Sequence, residues 1–540
     1  MSPWHVATKR LALTVLFSAA IAGARNCAER QRYGGTLRVE LHAATVALDP
    51  REWQVGSAEF AINEKLGALV FERLVALDNY GRFQPQLATE WSHDAAFKRW
   101  QFTLRANVRF SDGTALNNAD VVAALQPLLL SGQQVVASGN GVAIQSTAAM
   151  PDLLEELASG RLFVYRLQPR GTPMGTGPFL VSETATDNRG PSGRETASGD
   201  SNLAVSTPGA KGGTPWRFRA NEETWSGRPF LDAIQVTLGV PPLRQLVDLQ
   251  LGKADVVELS PELVRRAMQD NQRVWSSAPV TFFGLRFDDA QSAGAAAKLR
   301  EAMSLSLDRQ TMANVLLQKQ AEPASALLPQ WLSGYAFLFT MEPNIDRAKQ
   351  IRATLPANMA ASTEPLRLHV DVPGDLAKLL GERVAVNARQ AAILVQVVNR
   401  TLSHAASSAT STWSDSASGL HLFSWHYSSL SPRVELESMV SALNLGDSSE
   451  AVVSSTDPEL LYAREKKLLE DRHVLPLVAL PEYIGLSQNV RDWMPARWGE
   501  WHLDDVWLDV PEPSPALPGN SNTPATPVAQ PPVASPGVKP

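Results

Sequence analysis

FQPQLATEWSHDAAFKRWQFTLRANVRFSDGTALNNADVVAAL, residues Phe83 to Leu125, is the stretch that decides the fold class. Trp100, Phe102 and Leu104 alternate with Gln101, Thr103 and Arg105, the period of two that a strand with one buried face requires. Val108 and Phe110 continue the alternation, and the residues ahead of Trp100 are expected to form a short helical turn. Asp112-Gly113 supplies the positive-φ turn chemistry that reverses the chain. Asn117, with Asp120 three residues later, has the spacing of a helix cap. Strand, turn and capped helix within about forty residues make an α/β unit.

Working outward, Leu37, Val39 and Leu41 in GGTLRVEL predict an edge-to-core strand. Ile62, Leu66, Leu69 and Val70 fall at helical spacing behind a cap at Ser57, and the helix leads into FERLVALDNYG. GTGPF at Gly175–Phe179 predicts a turn entering a strand, its glycines permitting close backbone approaches. Position 180 is leucine, so the dinucleotide fingerprint fails, and no G-x-x-x-x-G-K-[ST] occurs.

The words PQLATEW, WQFTLRANVRFSDGTAL and ADVV closely resemble a signature region of the extracytoplasmic solute-binding proteins of the peptide/nickel class, family 5. The resemblance continues in order through FERLVALDNYG, GTGPF, WRFRANEETWSGRPFLDAIQV, LGKADVVEL and KLREAMSLSLDR. It covers most of Gly34–Leu508 and thins between Ser431 and Glu465. It implies an α/β, two-lobed, hinge-bending periplasmic-binding-protein fold, type II-like, with an extra α/β subdomain in the first lobe. TFFGLRFD at Thr281–Asp288 is expected to be a strand crossing between lobes, and VLPLVALPEYIGLSQNV brings the chain back.

Length and composition agree with such a chain. At 540 residues it exceeds one ordinary core, and roughly 150 residues per domain gives about three structural units. Its 49 basic and 55 acidic residues leave a net charge of −6, which disfavours non-specific nucleic-acid binding. Lys9-Arg10, the apolar run Leu11–Ala24 and Ala22-Gly23-Ala24 have the layout of an export signal. Cys27 is the only cysteine, so no intramolecular disulfide forms. Its place after the apolar run invites a lipid anchor; Ala24-Arg25-Asn26 lacks the residues of a lipobox, and an unpaired thiol is the other reading. The polar stretches 183–214 and 403–418 are expected to be mobile loops, and the last thirty residues, with ten prolines and no aromatic, a disordered tail.

The candidate ligand site lies in LHLFSWHYSSLSPRVEL, Leu420–Leu436, read as a strand ending in a polar turn. In the family this strand end lines the cleft, and Trp425 matches the family's tryptophan. Peptide-binding members carry an aspartate three residues later that pairs with the ligand's α-ammonium group; here that residue is Ser428. A serine offers a neutral hydrogen bond about half as strong as the charge-assisted one. His426, Tyr427 and Arg433 are then candidates for a ligand bearing hydroxyl, carboxylate or aromatic groups. A nickel role would rest on His421 and His426.

Enzymatic patterns are poor: no H-E-x-x-H, no G-x-S-x-G. The resemblance implies a binding receptor, not an enzyme, with no cofactor, capturing a peptide-like solute for an ABC permease and its ATPase at the periplasmic or extracellular face, as a monomer. A chaperone-like binding protein uncoupled from import, and an envelope hydrolase, are the alternatives. The expected organisation is a signal peptide at 1–24, lobe I at 34–265 with its subdomain at about 60–172, lobe II at 266–479, a return to lobe I at 480–509 and the tail at 510–540.

Overall fold

The computed structural model describes residues 31–78, 80–168, 173–182, 215–288, 294–356, 365–399, 419–445 and 456–509. The expected signal peptide, Cys27, the stretches 183–214 and 403–418 and the tail lie outside them. One large mixed sheet runs through the molecule. Its strands follow the order Phe179–Ser182, Trp216–Ala220, Ala233–Thr237, Thr36–Glu40, Val256–Leu259, Val474–Leu486, Arg273–Phe287, Leu420–His426, Leu366–Val370, Val395–Asn399. Thr36–Glu40 buries Leu37 and Val39 as its alternation predicts. It pairs in parallel with a neighbour on each side, and so is an interior strand where an edge-to-core position was expected.

Two parallel-centred halves are joined by two long antiparallel strands, Arg273–Phe287 and Val474–Leu486. Residues 273–276 pair with 483–486, which continue onto Val256–Leu259 in the first half. Residues 281–286 pair with 474–480 and, on their other side, with Leu420–His426 in the second half. Between them the register shifts twice, where Pro279 faces Pro481. A proline donates no ladder hydrogen bond and a bulge bends its strand, so the sheet is weakest where the two halves meet.

Each half has its own apolar interior. Leu37, Leu66, Phe102 and Phe218 share the first core with Trp501 and Leu508 of the returning segment. Leu285, Met303, Leu368 and Leu422 form the second core on one face of the far half of the sheet. Phe282, Phe423, Trp425 and Leu436 form a third on the opposite face, under the helices Pro432–Leu443 and Pro458–Glu470.

The signature region forms a four-stranded antiparallel sheet, Ala88–His93, Arg99–Leu104, Gly141–Ser146 and Gln133–Ser138 in spatial order. The helical turn expected ahead of Trp100 is absent there: Phe83–Pro85 and Ala88–His93 are strands, because Ala88–His93 pairs along Arg99–Leu104. Val108 and Phe110 are buried but lie beyond the end of the strand, at Leu104. Asn117 and Asp120 form a full capping box on the helix Asn118–Leu125. Gly113 turns at φ 82°.

The GTGPF glycines serve close approach. The Gly177 amide donates to the Val70 carbonyl at 2.9 Å, and a Cβ on Gly175 would lie 2.0 Å from that same oxygen. Replacing Gly175→Ala forces the backbone of the Ala58–Val70 helix end to move, at a cost of about 1–3 kcal/mol. The expected result is a melting midpoint several degrees lower, read by differential scanning calorimetry; an unchanged midpoint would show that this contact is not tight.

Candidate functional site

The site is built at the end of Leu420–His426, an interior strand with both faces covered. Leu420 and Leu422 point into one core while Phe423 and Trp425 point into the other. The parallel neighbour Leu366–Val370 supports its first half, and Thr281 and Phe282 lie opposite His426 and Trp425 just beyond the proline-broken register.

Trp425 is buried, and its indole Nε1 donates to Glu435 Oε1 at 2.5 Å. Its ring is covered by Gly56 of the first half, where a Cβ would lie 2.4 Å from the ring carbons. Gly56 also has φ +81°, so both its conformation and its contact exclude a side chain. The Gly56 carbonyl accepts from the His426 amide at 2.8 Å, stitching the strand end to the first half.

Each candidate residue has a definite place. The Tyr427 hydroxyl donates to the Leu327 carbonyl at 2.6 Å, and its ring meets the edge of Trp331. His426 is buried, 3.4 Å from the Thr281 hydroxyl, and its pKa is pushed down to about 3 by burial and then by the charge of Lys65. It is therefore neutral at physiological pH and offers no cation. Ser428 is half-buried, its amide donating to Glu435 Oε2 at 3.0 Å, and the Ser429 amide donates to the same oxygen at 2.7 Å.

Arg433 is committed to the first half. Its Nε and Nη2 donate to the two oxygens of Asp152 at 3.0 Å each, and Nη2 also donates to Glu156 at 2.7 Å. Burial works against its charge, but the two carboxylates outweigh burial and raise its pKa. The Ser431 hydroxyl donates to Asp152 as well, and the Leu430 amide donates to Ser159 Oγ at 3.1 Å. Trp425, His426, Tyr427 and Ser428 thus cluster at one strand end. Arg433 stands in the first turn of the helix Pro432–Leu443, in an ion pair that takes up three of its donor contacts.

Glu435, Asp152, Glu156 and Gly56 were not singled out from the sequence. The available signal was Ser431-Pro432 opening a helix, with Ser431 capping Val434 and Glu435 in the first turn. Which way a first-turn carboxylate faces depends on packing. His421 and His426 cannot share a metal ion: they lie on opposite faces of the strand, roughly 16 Å apart along it at about 3.3 Å per residue. His421 is held between Asp371 at 2.5 Å and Asp288 at 2.6 Å. Burial opposes charge on its ring, yet these carboxylates raise its pKa. Among the described residues no group of three or more His, Cys, Asp or Glu has the geometry to hold a metal ion, and no helix is long and apolar enough to cross a membrane.

A family described as bacterial extracellular solute-binding proteins, family 5, middle region, matches residues 82–155 and 209–444, more than half of the chain. The chain belongs to this family of extracellular solute-binding proteins. Among characterised relatives it is 23% identical over 359 residues to the nickel-binding protein NikA of Staphylococcus aureus, covering 64% of this chain and 65% of that protein. To the probable D,D-dipeptide-binding periplasmic protein DdpA of Escherichia coli it is 24% identical over 273 residues, 49% of this chain and 51% of that one. The chain thus spans less than two thirds of these relatives' lengths.

Solved structures extend the fold further. NikA of S. aureus in complex with Ni(L-His)2 superposes with a TM-score of 0.67 at 17% identity, covering 88% of this chain and all of that one. The oligopeptide-binding protein AppA of Bacillus subtilis, in complex with a nonapeptide, gives 0.66 at 15% identity, covering 89% and 100%. The two-lobed α/β fold expected from the signature words is therefore the fold of this chain.

Glu435 carries the pH dependence of the strand end. Burial pushes its pKa up to about 7, against the donors from Trp425, Ser429 and Ser428 that favour the ionised form. An unfolded glutamate titrates near ~4.3. A raised folded-state pKa means that folding favours the proton, so this contribution is full below about pH 4 and is lost as pH rises through about 7. The stability advantage of the parent protein over Glu435→Gln should therefore shrink from pH 4.5 to pH 7.5, measured by melting midpoints. A constant or growing difference would contradict this sign.

Proposed function

We propose that this chain is an extracytoplasmic receptor that captures a peptide-like solute between its lobes and delivers it to an ABC permease and its ATPase. The observation that supports this most directly is the strand end at Trp425, faced by Gly56 and the Asp152–Glu156 helix from the other half, in a chain of the solute-binding family. Lobe I is then 34–265 with the return 480–509, and lobe II is 266–479. The bend falls where Pro279 faces Pro481. Closure around a solute would be a population shift limited by that solute's preference for the closed state. The chain acts as a monomer at the periplasmic or extracellular face, and binds rather than transforms its ligand.

The solute class follows from which charges remain available. Ser428 brings no carboxylate, the Glu435 carboxylate is occupied by two backbone amides and an indole, and Arg433 is engaged by Asp152 and Glu156. A free ammonium group entering here would lose its hydration without a counter-charge, a penalty of several kcal/mol. Peptide-like ligands lacking a free amine fit better.

Calorimetry with di- to pentapeptides is expected to give weak heat, whereas amine-blocked peptides stabilise the protein in a thermal-shift screen. Trp425→Ala should weaken the bound solute by about tenfold or more, equivalent to about 1.4 kcal/mol. Tight binding of ordinary free-amine peptides would overturn the assignment of solute class. Stabilisation by a nickel–histidine complex alone would replace it with metal chelates.

A further inference from the structure

We infer that the first turn of the helix Pro432–Leu443 is an inter-lobe latch, in which Arg433 grips Asp152 and Glu156 across the cleft while Glu435 seats Trp425 on the same turn. The lobe assignment rests on the proposed reading above; the contacts do not. Ser431, the N-cap, and Arg433 and Glu435 in the first turn stand at every second position and face two ways. Ser431 and Arg433 reach the first half, and Glu435 reaches back to the strand end.

The receiving side is built for this contact. Asp152 stands at the N-cap of the short helix Leu153–Leu157 but accepts no capping hydrogen bond from it. Its carboxylate, which would ordinarily serve the helix amides, is given to Ser431 and Arg433 instead. Glu156, one turn on, accepts from Arg433 and from Gln133 Nε2 at 3.2 Å. The Ser159 hydroxyl takes the Leu430 amide. Asp152, Glu156, Ser431 and Arg433 are all buried, in line with the other contacts that join these two parts, Gly56 with Trp425 and with the His426 amide.

An ion pair suits a reversible contact. Burying these charges has a desolvation cost that their attraction offsets only when the geometry is good. If the halves separate, every partner returns to water, so neither state strands a charge. An apolar contact of the same area would favour closure alone. The fork geometry also fixes the direction of approach, since bidentate pairing requires the guanidinium and carboxylate planes to align. Because Glu435 lies on the same turn, displacement of Trp425 and release of Arg433 move one rigid element.

The test needs no solute. Spin labels at Lys98→Cys and Lys378→Cys, both exposed and one in each half, are placed in the full chain with Cys27→Ser. Their separation is measured by double electron–electron resonance. Arg433→Gln should lengthen the main distance by about 5 Å or more and leave the melting midpoint near that of the labelled parent. The swap Arg433→Asp with Asp152→Arg should restore the short distance. If Arg433→Gln folds poorly, Glu156→Gln, which removes a charge but keeps a hydrogen-bonding side chain, should broaden the distribution toward longer distances. Unchanged distances in these variants would overturn the latch and mark the contact as a static ion pair, and failure of the swap to restore the short distance would also count against it. Neither result bears on whether a solute binds.

Discussion

The antiparallel pairing of Arg273–Phe287 with Val474–Leu486 is the constraint from which the rest of the molecule follows. Among the described residues, these two strands carry the ladder pairing of the large sheet from one half into the other. The ladder resists sliding, because each one-residue slip would move every side chain to the opposite face of the sheet, which is filled by other residues. It bends most readily where the ladder is interrupted, and two of its three register shifts fall between Ser276 and Thr281, the third between Phe283 and Gly284. The strand end bearing Trp425 begins beside that interruption, with Thr281 and Phe282 as its partners.

Several loops of the molecule are organised by buried carboxylates. Glu435 collects the amides of Ser428 and Ser429 and the Trp425 indole, and Glu465 collects the amides of Leu327 and Leu328. Glu72 accepts from the Thr176 hydroxyl and the Trp225 indole. In each case a side chain satisfies donors that no strand or helix supplies with an acceptor. Burial pushes the pKa of all three up to about 7, so the cost of holding these loops is a carboxylate that folding prefers protonated.

The helix Ala58–Val70 is fixed by a different device. Lys65 pairs with Glu482 of the second long strand. Arg73, just past the helix, pairs with Glu64 and with Glu500 of the returning segment and donates to the Gly160 carbonyl. These contacts tie the helix and the residues just past it to the second long strand and the returning segment. Two of them, Lys65–Glu482 and Arg73–Glu500, join residues separated by more than four hundred positions.

The sequence by itself determined the elements whose cause is local. The alternation at Trp100 and Phe102, the Asn117–Asp120 cap, the turn at Gly113, the helix behind Ser57 and the strand through Trp425 are set by spacing within a few residues. The signature words carried the fold class because their order along the chain is that of the family. Only the tertiary structure decided the rest. The residues before Trp100 became strand because a neighbouring strand offered pairing, which outweighs local preference. Thr36–Glu40 became interior because partners far along the chain closed on both its edges. Arg433 reads in sequence as a cation free for a ligand carboxylate. Its partners, Asp152 and Glu156, lie nearly three hundred residues earlier, and local spacing carries no information about which charges the folded chain brings together.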